Sequence, residues 1–231
     1  MTEIGHFGAV LGEAARITRR SSGWMIGTAV AVTLTYLAAD MLIPDPYLIV
    51  AYGVLGFFAI YLQLLLMAHM LSVSGLVDYQ FNPRTPTDGR LASAFLLSLL
   101  TAVAIFAGLI LLVIPGLILL ARWGVCFPVL LAERATVTES LGRSWRMTGR
   151  HWKVATLVMI VILFLSVPAF VSVYLLYPTY GTPTFAAALL TNVLFSLAWV
   201  LSWLMSAAFY VWMRQAEAAH DNLANDRSLT A

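Results

Sequence analysis

The chain has 231 residues, of which 61% are hydrophobic and only 10% are charged, and its formal net charge at neutral pH is +2. A soluble domain carries about a quarter of its residues as charged side chains, so this composition excludes a soluble globular protein and predicts an integral membrane protein. The single cysteine, Cys126, excludes a disulfide framework and a cysteine metal cluster within these residues.

The first 22 residues predict an amphipathic helix that lies in the membrane interface. Its apolar residues recur at helical spacing, at Ile4, Phe7, Leu11, Ala14 and Ile17. Its charged and histidine side chains lie mostly on the other faces, and they include Glu3, His6, Glu13, Arg16 and Arg20. The segment is therefore expected to rest on the bilayer and to precede the first membrane span.

Six later segments are long and apolar enough to cross a hydrocarbon core about 30 Å thick, which takes about 20 residues of helix. They are Trp24 to Ile43, Tyr47 to Leu71, Leu91 to Ile114, Gly116 to Ala132, Val154 to Tyr177 and Phe185 to Met213. The breaks between spans have turn-forming sequences, "PDP" at 44–46, "NPRTPTDGR" at 82–90, "PG" at 115–116 and "YPTYGTPT" at 177–184. The predicted fold is all-α, a single polytopic domain over 1–231 with paired spans at 24–71, 91–132 and 154–213.

Basic residues predict the orientation, because cytoplasmic loops retain Lys and Arg. Of the 13 basic residues, all but Arg122 precede span one, separate spans two and three, separate spans four and five, or follow span six. These segments share one side of the membrane. The prediction is a multi-pass protein of a bacterial inner membrane with both termini in the cytoplasm, including a cytoplasmic tail at 214–231.

A second amphipathic helix is predicted in the cytoplasmic segment 136–153. Thr136 and Glu139 have the spacing of a capping box, and the helix should run from about Val137 to Thr148, where Gly149 ends or bends it. One face carries Val137, Leu141, Trp145 and Thr148, with Trp152 as an extension, and nearly the opposite face carries Arg143, Arg146, Arg150 and Lys153. Such a stripe suits either a topology anchor or a site for anionic headgroups or a partner, and both readings stay open.

The first and last thirds of the chain share a pattern. "GEAARITRRSSGW" and "TESLGRSWRMTGRHW" each lead from an acidic residue through an Arg-rich stretch to a Trp that opens a span. Two spans follow each stretch in the same orientation. A parallel pseudo-repeat around a central hairpin of spans three and four is one interpretation, and chance similarity between two interfacial helices is the other.

Polar residues inside the spans are candidates for function because they are costly in a bilayer. They are Arg122, Asp40, Gln63, His69 and Asn192. Arg122 is expected to snorkel outward, to pair with Asp40 or a carbonyl, or to bind a lipid phosphate or solute anion. Interhelical hydrogen bonds account for Gln63, His69 and Asn192. His69 has no partner at metal-binding spacing, so no metal site is predicted.

One stretch also carries a family pattern. In chain order it contains Pro115, Gly116, Arg122, Pro128, Glu133, Ser144, Trp145, Gly149 and Trp152. This pattern, over residues 114–154, resembles the membrane domain named for glycerophosphoryl diester phosphodiesterases and related uncharacterised six-span bacterial membrane proteins. The resemblance implies a six-span fold. It implies no substrate, because in the named enzymes a separate soluble domain carries the phosphodiesterase, and no segment here is long and polar enough to form one.

No enzyme motif is present, so the chain is predicted to be non-enzymatic and to need no cofactor. The leading hypothesis is that it engages membrane lipid, including anionic phospholipid, or scaffolds a membrane protein partner, with no role for nucleic acid. Its lipid contacts would be Arg143, Arg146, Arg150, Lys153, Trp145 and Trp152. The alternative is a transporter or channel for a small or amphiphilic solute, with Arg122 in its path.

Overall fold

The computed structural model describes residues 3–75, 90–177 and 183–229, the side chains of residues 45, 46, 49 and 221–229 excepted. Within these ranges the chain forms helices only: α1 (Glu3–Leu42), α2 (Asp45–Val73), α3 (Leu91–Leu111), α4 (Val113–Arg122), α5 (Cys126–Ala132), α6 (Val137–Arg150), α7 (Trp152–Leu176) and α8 (Phe185–Leu229). Six helical stretches there are long and apolar enough to cross a membrane, and α4 and α5 together make the fourth. The predicted all-α fold with six helices able to span a membrane is therefore confirmed, and it fits a multi-pass membrane protein. Most of the predicted turns at 82–90, with Arg84, and at 177–184 lies outside the described residues.

The two longest helices, α1 and α8, pack along each other. They have 40 and 45 residues, so at 1.5 Å per residue each is about 60 Å long or more, twice the hydrocarbon thickness. The His6 and His151 rings both contact the Trp212 ring, with centroids 5.5 and 5.0 Å away. The beginning of α1, the beginning of α7 and the later part of α8 thus meet at one end of the bundle.

The structure differs from the sequence prediction at both ends of the chain. The segment 1–22 is not a separate interfacial helix, because α1 runs without interruption into the first span. Val10, Ala14 and Ile17 are buried in the core cluster that includes α8, whereas Ile4 and Leu11 are exposed. These buried residues of α1 pack against α8, and α8 itself continues into the predicted tail as far as Leu229.

The turn between α3 and α4 falls at Leu112 and not at the predicted Pro115–Gly116. Leu112 is extended, with φ −160° and ψ 126°, and its N–H donates to the Gly108 carbonyl at 3.1 Å. Pro115 lies in the first turn of α4, where a missing N–H costs nothing. Gly116 allows close packing of the hairpin, since a Cβ there would lie 2.5 Å from Leu109 Cγ.

The fourth span is broken between Arg122 and Cys126, a short distance before Pro128. Pro128 lies in the first turn of α5 and has no N–H to donate to the Gly124 carbonyl. The Ser206 hydroxyl of α8 donates to that carbonyl instead, at 2.5 Å. The helix is thus fully interrupted before Pro128, whereas Pro168 lies inside α7 without interrupting it.

The helix predicted between spans four and five is present as α6, and its capping box is confirmed. The Thr136 backbone N–H donates to Glu139 Oε2 at 2.8 Å, and the Glu139 N–H donates to Thr136 Oγ1 at 3.4 Å. The Thr136 backbone N–H and then its hydroxyl, which also donates to Oε2, hold the pKa of the Glu139 carboxyl below its ordinary value. The helix passes Gly149 and ends at Arg150, and His151 separates it from α7.

Arg90 fixes the position of α6 relative to α3. Its guanidinium donates to the carbonyls of Ala135, at 2.8 Å, and Arg134, at 2.7 Å. Arg134 has a φ of 51°, which turns the chain sharply between α5 and α6. The two stretches compared as a repeat therefore differ locally, since the first lies within one helix and the second is split at His151, and the repeat stays a prediction.

Candidate functional site

Hydroxyl side chains attach α6 to the break in the fourth span. At the break, Cys126 N–H bonds the Trp123 carbonyl. The Arg122 carbonyl instead accepts from Ser144 Oγ at 2.8 Å and from Thr148 Oγ1 at 3.0 Å. Both hydroxyl residues are fully buried. They replace, from a neighbouring helix, the hydrogen bond that the break removes.

The sequence prediction of the α6 faces was incomplete, because it did not identify the hydroxyl face that bonds the Arg122 carbonyl. The buried residues of α6 are Ser140, Ser144, Met147 and Thr148. Trp145, predicted on the same face as Thr148, is 42% exposed. The signal that could have found this face is the spacing of four between Ser140, Ser144 and Thr148, which places three small hydroxyls on one side of the helix.

The side chain of Arg122 lies against α6. Its Cζ is 5.2 Å from the centroid of the Trp145 ring, within the range of a cation–π contact. Its Nη1 is buried and has no hydrogen-bond acceptor in the described part of the chain. A Cβ at Gly149 would lie only 2.6 Å from this Nη1, so Gly149 makes room for the guanidinium and does not end the helix.

Arg122 also lines a groove between α4 and α7 with a cavity volume of about 450 Å³. The other lining residues are mostly apolar and include Ile114, Leu117, Ile118, Trp152, Ala155 and Met159. A guanidinium with an unused donor therefore borders an apolar groove. An arrangement of this kind can offer a cationic donor to a phosphate and an apolar wall to an acyl chain.

Arg143, a predicted lipid contact, is engaged within the protein. Its Nη2 is 2.8 Å from Glu217 Oε2, and its Nε is 3.3 Å from Glu133 Oε2. Arg214 Nη1 lies 3.2 Å from the same Glu217 oxygen, and the Tyr210 hydroxyl donates to Glu133 Oε1 at 3.3 Å. The network joins α6 to α8 and leaves Arg143 without a free charge for a headgroup.

The other three cations of the predicted stripe differ in their surroundings. Lys153 Nζ lies 3.5 Å from Glu3 Oε1, and both side chains are about half exposed, so the pair contributes little to stability. Arg146 and Arg150 are exposed and form no ion pair among the described residues. The stripe thus has two cations that remain available to anionic lipid.

Two of the polar residues predicted inside the spans come together, and Arg122 is not one of them. Asp40 accepts hydrogen bonds from Asn192 Nδ2 and the Tyr177 hydroxyl, each at 2.7 Å, and from the Tyr52 hydroxyl. The expected pairing of Asp40 with Arg122 is therefore wrong, because Arg122 lies against α6 while Asp40 lies at the other end of α7.

The remaining two polar residues stay apart from this cluster. His69 stacks on Trp24, with ring centroids 5.2 Å apart, and its buried Nε2 has no hydrogen-bond partner in the described ranges. Gln63 is half-buried in α2 and makes no hydrogen bond to described residues. In the same part of the chain, no group of three or more His, Cys, Asp or Glu side chains could hold a metal ion.

Neither a family model, nor a curated protein, nor a solved structure matches the chain. The resemblance of residues 114–154 to the phosphodiesterase membrane domain accordingly stays a prediction.

Proposed function

We propose that this chain is a non-enzymatic membrane protein that engages phospholipid at the groove between α4 and α7. The lipid phosphate would accept hydrogen bonds from the Arg122 guanidinium, and an acyl chain would lie along the apolar wall. The observation that carries the proposal is Arg122, which lines this groove and whose buried Nη1 has no acceptor in the described chain.

The energetic argument starts from the unused donor. A buried cationic donor without a partner costs about 1–3 kcal/mol or more, and a phosphate oxygen removes that cost. Guanidinium suits phosphate because its planar donors bond two oxygens at once. Trp145 and Trp152, both exposed beside the groove, are of the residue type that anchors at the headgroup level.

Arg146 and Arg150 have a secondary role in this proposal. Each exposed cation near an anionic surface contributes about 1 kcal/mol of attraction, which is reduced by salt. They would favour anionic over zwitterionic lipid without defining a binding position. Arg143 is left out because Glu133 and Glu217 neutralise it.

The proposed setting is a bilayer of bacterial inner-membrane type with α6 and both termini in the cytoplasm. The distribution of basic residues supports this orientation, as does the meeting of the α1 and α7 starts with the later part of α8. We keep the resemblance to the phosphodiesterase membrane domain as part of the proposal for the fold. Scaffolding of a membrane protein partner is compatible with the same lipid site.

The test is native mass spectrometry of the purified protein, titrated with phosphatidylglycerol and with phosphatidylcholine. Arg122→Gln should weaken phosphatidylglycerol binding by about tenfold or more, since a hydrogen bond to a charged group contributes about 1.5–3 kcal/mol. The matched control is Arg146→Gln, which removes an exposed cation of α6 and should change binding only a few-fold. Equal phosphatidylglycerol affinity in wild type and Arg122→Gln would refute the lipid site.

The transporter alternative, with Arg122 in the path of a solute, predicts a different result. In that case Arg122→Gln would leave lipid binding intact and lower solute flux into proteoliposomes. The apolar lining of the groove favours the lipid proposal over a hydrated path.

A further inference from the structure

The Asp40 cluster lies at the end of α7 opposite to α6 and plays no part in the lipid groove. Asp40 is only 4% exposed. Its three partners, Tyr52, Tyr177 and Asn192, all donate hydrogen bonds to the carboxylate and all are neutral. Three helices, α1, α2 and α8, contribute one residue each to this cluster, and Tyr177 directly follows the end of α7.

The cluster lacks a cation from the protein. No Lys, Arg or His side chain forms an ion pair with Asp40 within the described ranges. A buried carboxylate inside a membrane protein is costly unless a positive charge accompanies it, and neutral donors compensate only part of that cost. The site therefore has an electrostatic preference for a cationic ligand.

A cavity of about 380 Å³ adjoins the cluster, and Tyr52, Tyr177 and Asn192 are part of its wall. Tyr36, Phe195 and Trp199 add further aromatic rings. Tyr36 lies 5.7 Å from the Tyr52 ring and 6.2 Å from the Trp199 ring, to which it is nearly perpendicular, at 89°. Tyr and Trp rings grouped in this way attract organic cations through their faces.

One polar group in this wall is unused. Thr191 is 3% exposed and lines the cavity, yet its hydroxyl has no hydrogen-bond partner in the described chain. A helical Thr ordinarily bonds the carbonyl four residues earlier, as Thr101 does with Leu97. The Thr191 hydroxyl thus leaves an unsatisfied polar group in the wall of the cavity.

We propose that the cavity between α1, α2, α7 and α8 binds an organic cation, an ammonium or phosphonium group with apolar substituents. The aromatic rings hold the charged centre, and the Asp40 carboxylate, behind Tyr52, Tyr177 and Asn192, supplies the opposite charge. A hydrated metal ion fits poorly, because it needs several oxygen ligands and this wall offers mainly ring carbon atoms. The proposal is independent of the phospholipid groove at Arg122.

The experiment is equilibrium dialysis of the purified, detergent-solubilised protein with tetraphenylphosphonium and with tetraphenylborate, which have nearly the same shape and opposite charge. Wild type should bind the cation saturably, and Asp40→Asn should weaken this binding about tenfold or more. Trp199→Ala, which leaves the carboxylate in place, should weaken it several-fold. The matched control is Tyr174→Ala, since Tyr174 lies on α7, is 86% exposed and does not line the cavity.

Each result decides the proposal. Unchanged cation binding in Asp40→Asn or Trp199→Ala would overturn it, as would equal binding of tetraphenylborate to the wild type, which indicates a purely apolar site. If Asp40→Asn does not yield folded protein, the comparison of Trp199→Ala with Tyr174→Ala decides alone. In that case equal cation binding by these two variants overturns the proposal, and selective loss in Trp199→Ala supports it.

Discussion

Replacement of Gly149 by Ala tests directly whether α6 holds the Arg122 guanidinium in place. A Cβ at this position would lie 2.6 Å from Arg122 Nη1. Since non-bonded heavy atoms rest about 3.5–4.0 Å apart, the guanidinium must move by about 1 Å. Gly142, also inside α6, is the matched control, because a Cβ there meets only Arg146 Nη1 at 3.5 Å, an ordinary contact.

The two variants should differ in stability by about 1 kcal/mol. Ala is favoured over Gly in a helix interior by about 0.8–1 kcal/mol, and Gly142→Ala should gain this amount. Gly149→Ala gains the same propensity but disturbs the cation–π contact of Arg122 with Trp145, which contributes about 0.5–2 kcal/mol. The net change for Gly149→Ala should therefore be near zero or slightly destabilising.

Two assays separate these effects. Thermal unfolding in detergent, followed by circular dichroism, should rank Gly142→Ala above wild type and Gly149→Ala at or below it. Native mass spectrometry should show phosphatidylglycerol affinity reduced only in Gly149→Ala, because only that variant moves the guanidinium. If both variants gained equal stability and bound lipid as wild type does, the contact between Gly149 and Arg122 would not matter, and the reasoning would be refuted.

Two further predictions concern the segment from Ser144 to His151, at the end of α6 and before α7. The double variant Ser144→Ala with Thr148→Ala leaves the Arg122 carbonyl without its two donors and should lower the free energy of unfolding by about 1–3 kcal/mol. Each single variant should lower it by less, because one donor remains. Chemical denaturation in detergent measures these changes, and additive effects of the two single variants would contradict the prediction. Burial, then the Arg150 charge, lowers the pKa of His151 from its ordinary 6.5. The neutral form of His151 thus contributes fully to stability above pH 6.5, and this contribution is lost as the pH falls through the lowered pKa of the folded protein. The melting temperature between about pH 5 and 7 should therefore depend less on pH in His151→Gln than in the wild type.

Composition and local pattern were sufficient to predict the six spans and α6. Apolar stretches of about 20 residues and a capping box depend only on neighbouring residues, so Thr136 and Glu139 could be assigned before the structure was known. The turn at Leu112 could not, because Pro115 and Gly116 are equally compatible with a turn and with the first turn of a tightly packed helix.

The candidate sites depended on contacts between distant residues, and here sequence reasoning was weaker. Asp40 and Asn192 were identified separately as costly polar residues, but nothing local indicates that they are hydrogen-bonded across 152 positions. Arg143 had the same pattern as Arg146, yet Glu217, 74 residues later, neutralises it. Charge spacing along one helix cannot reveal which cations face a carboxylate on another.

The hairpin of α3 and α4 also has a consequence for biogenesis. Its turn is the single residue Leu112, and the flanking residues from Ile110 to Ile114 are all apolar and exposed. The turn N–H is bonded within the hairpin. Because its residues are all apolar, this connection also carries no charged side chain that must be moved across the hydrocarbon. Insertion of α3 and α4 into a bilayer therefore requires no hydrophilic loop between them to cross the hydrocarbon.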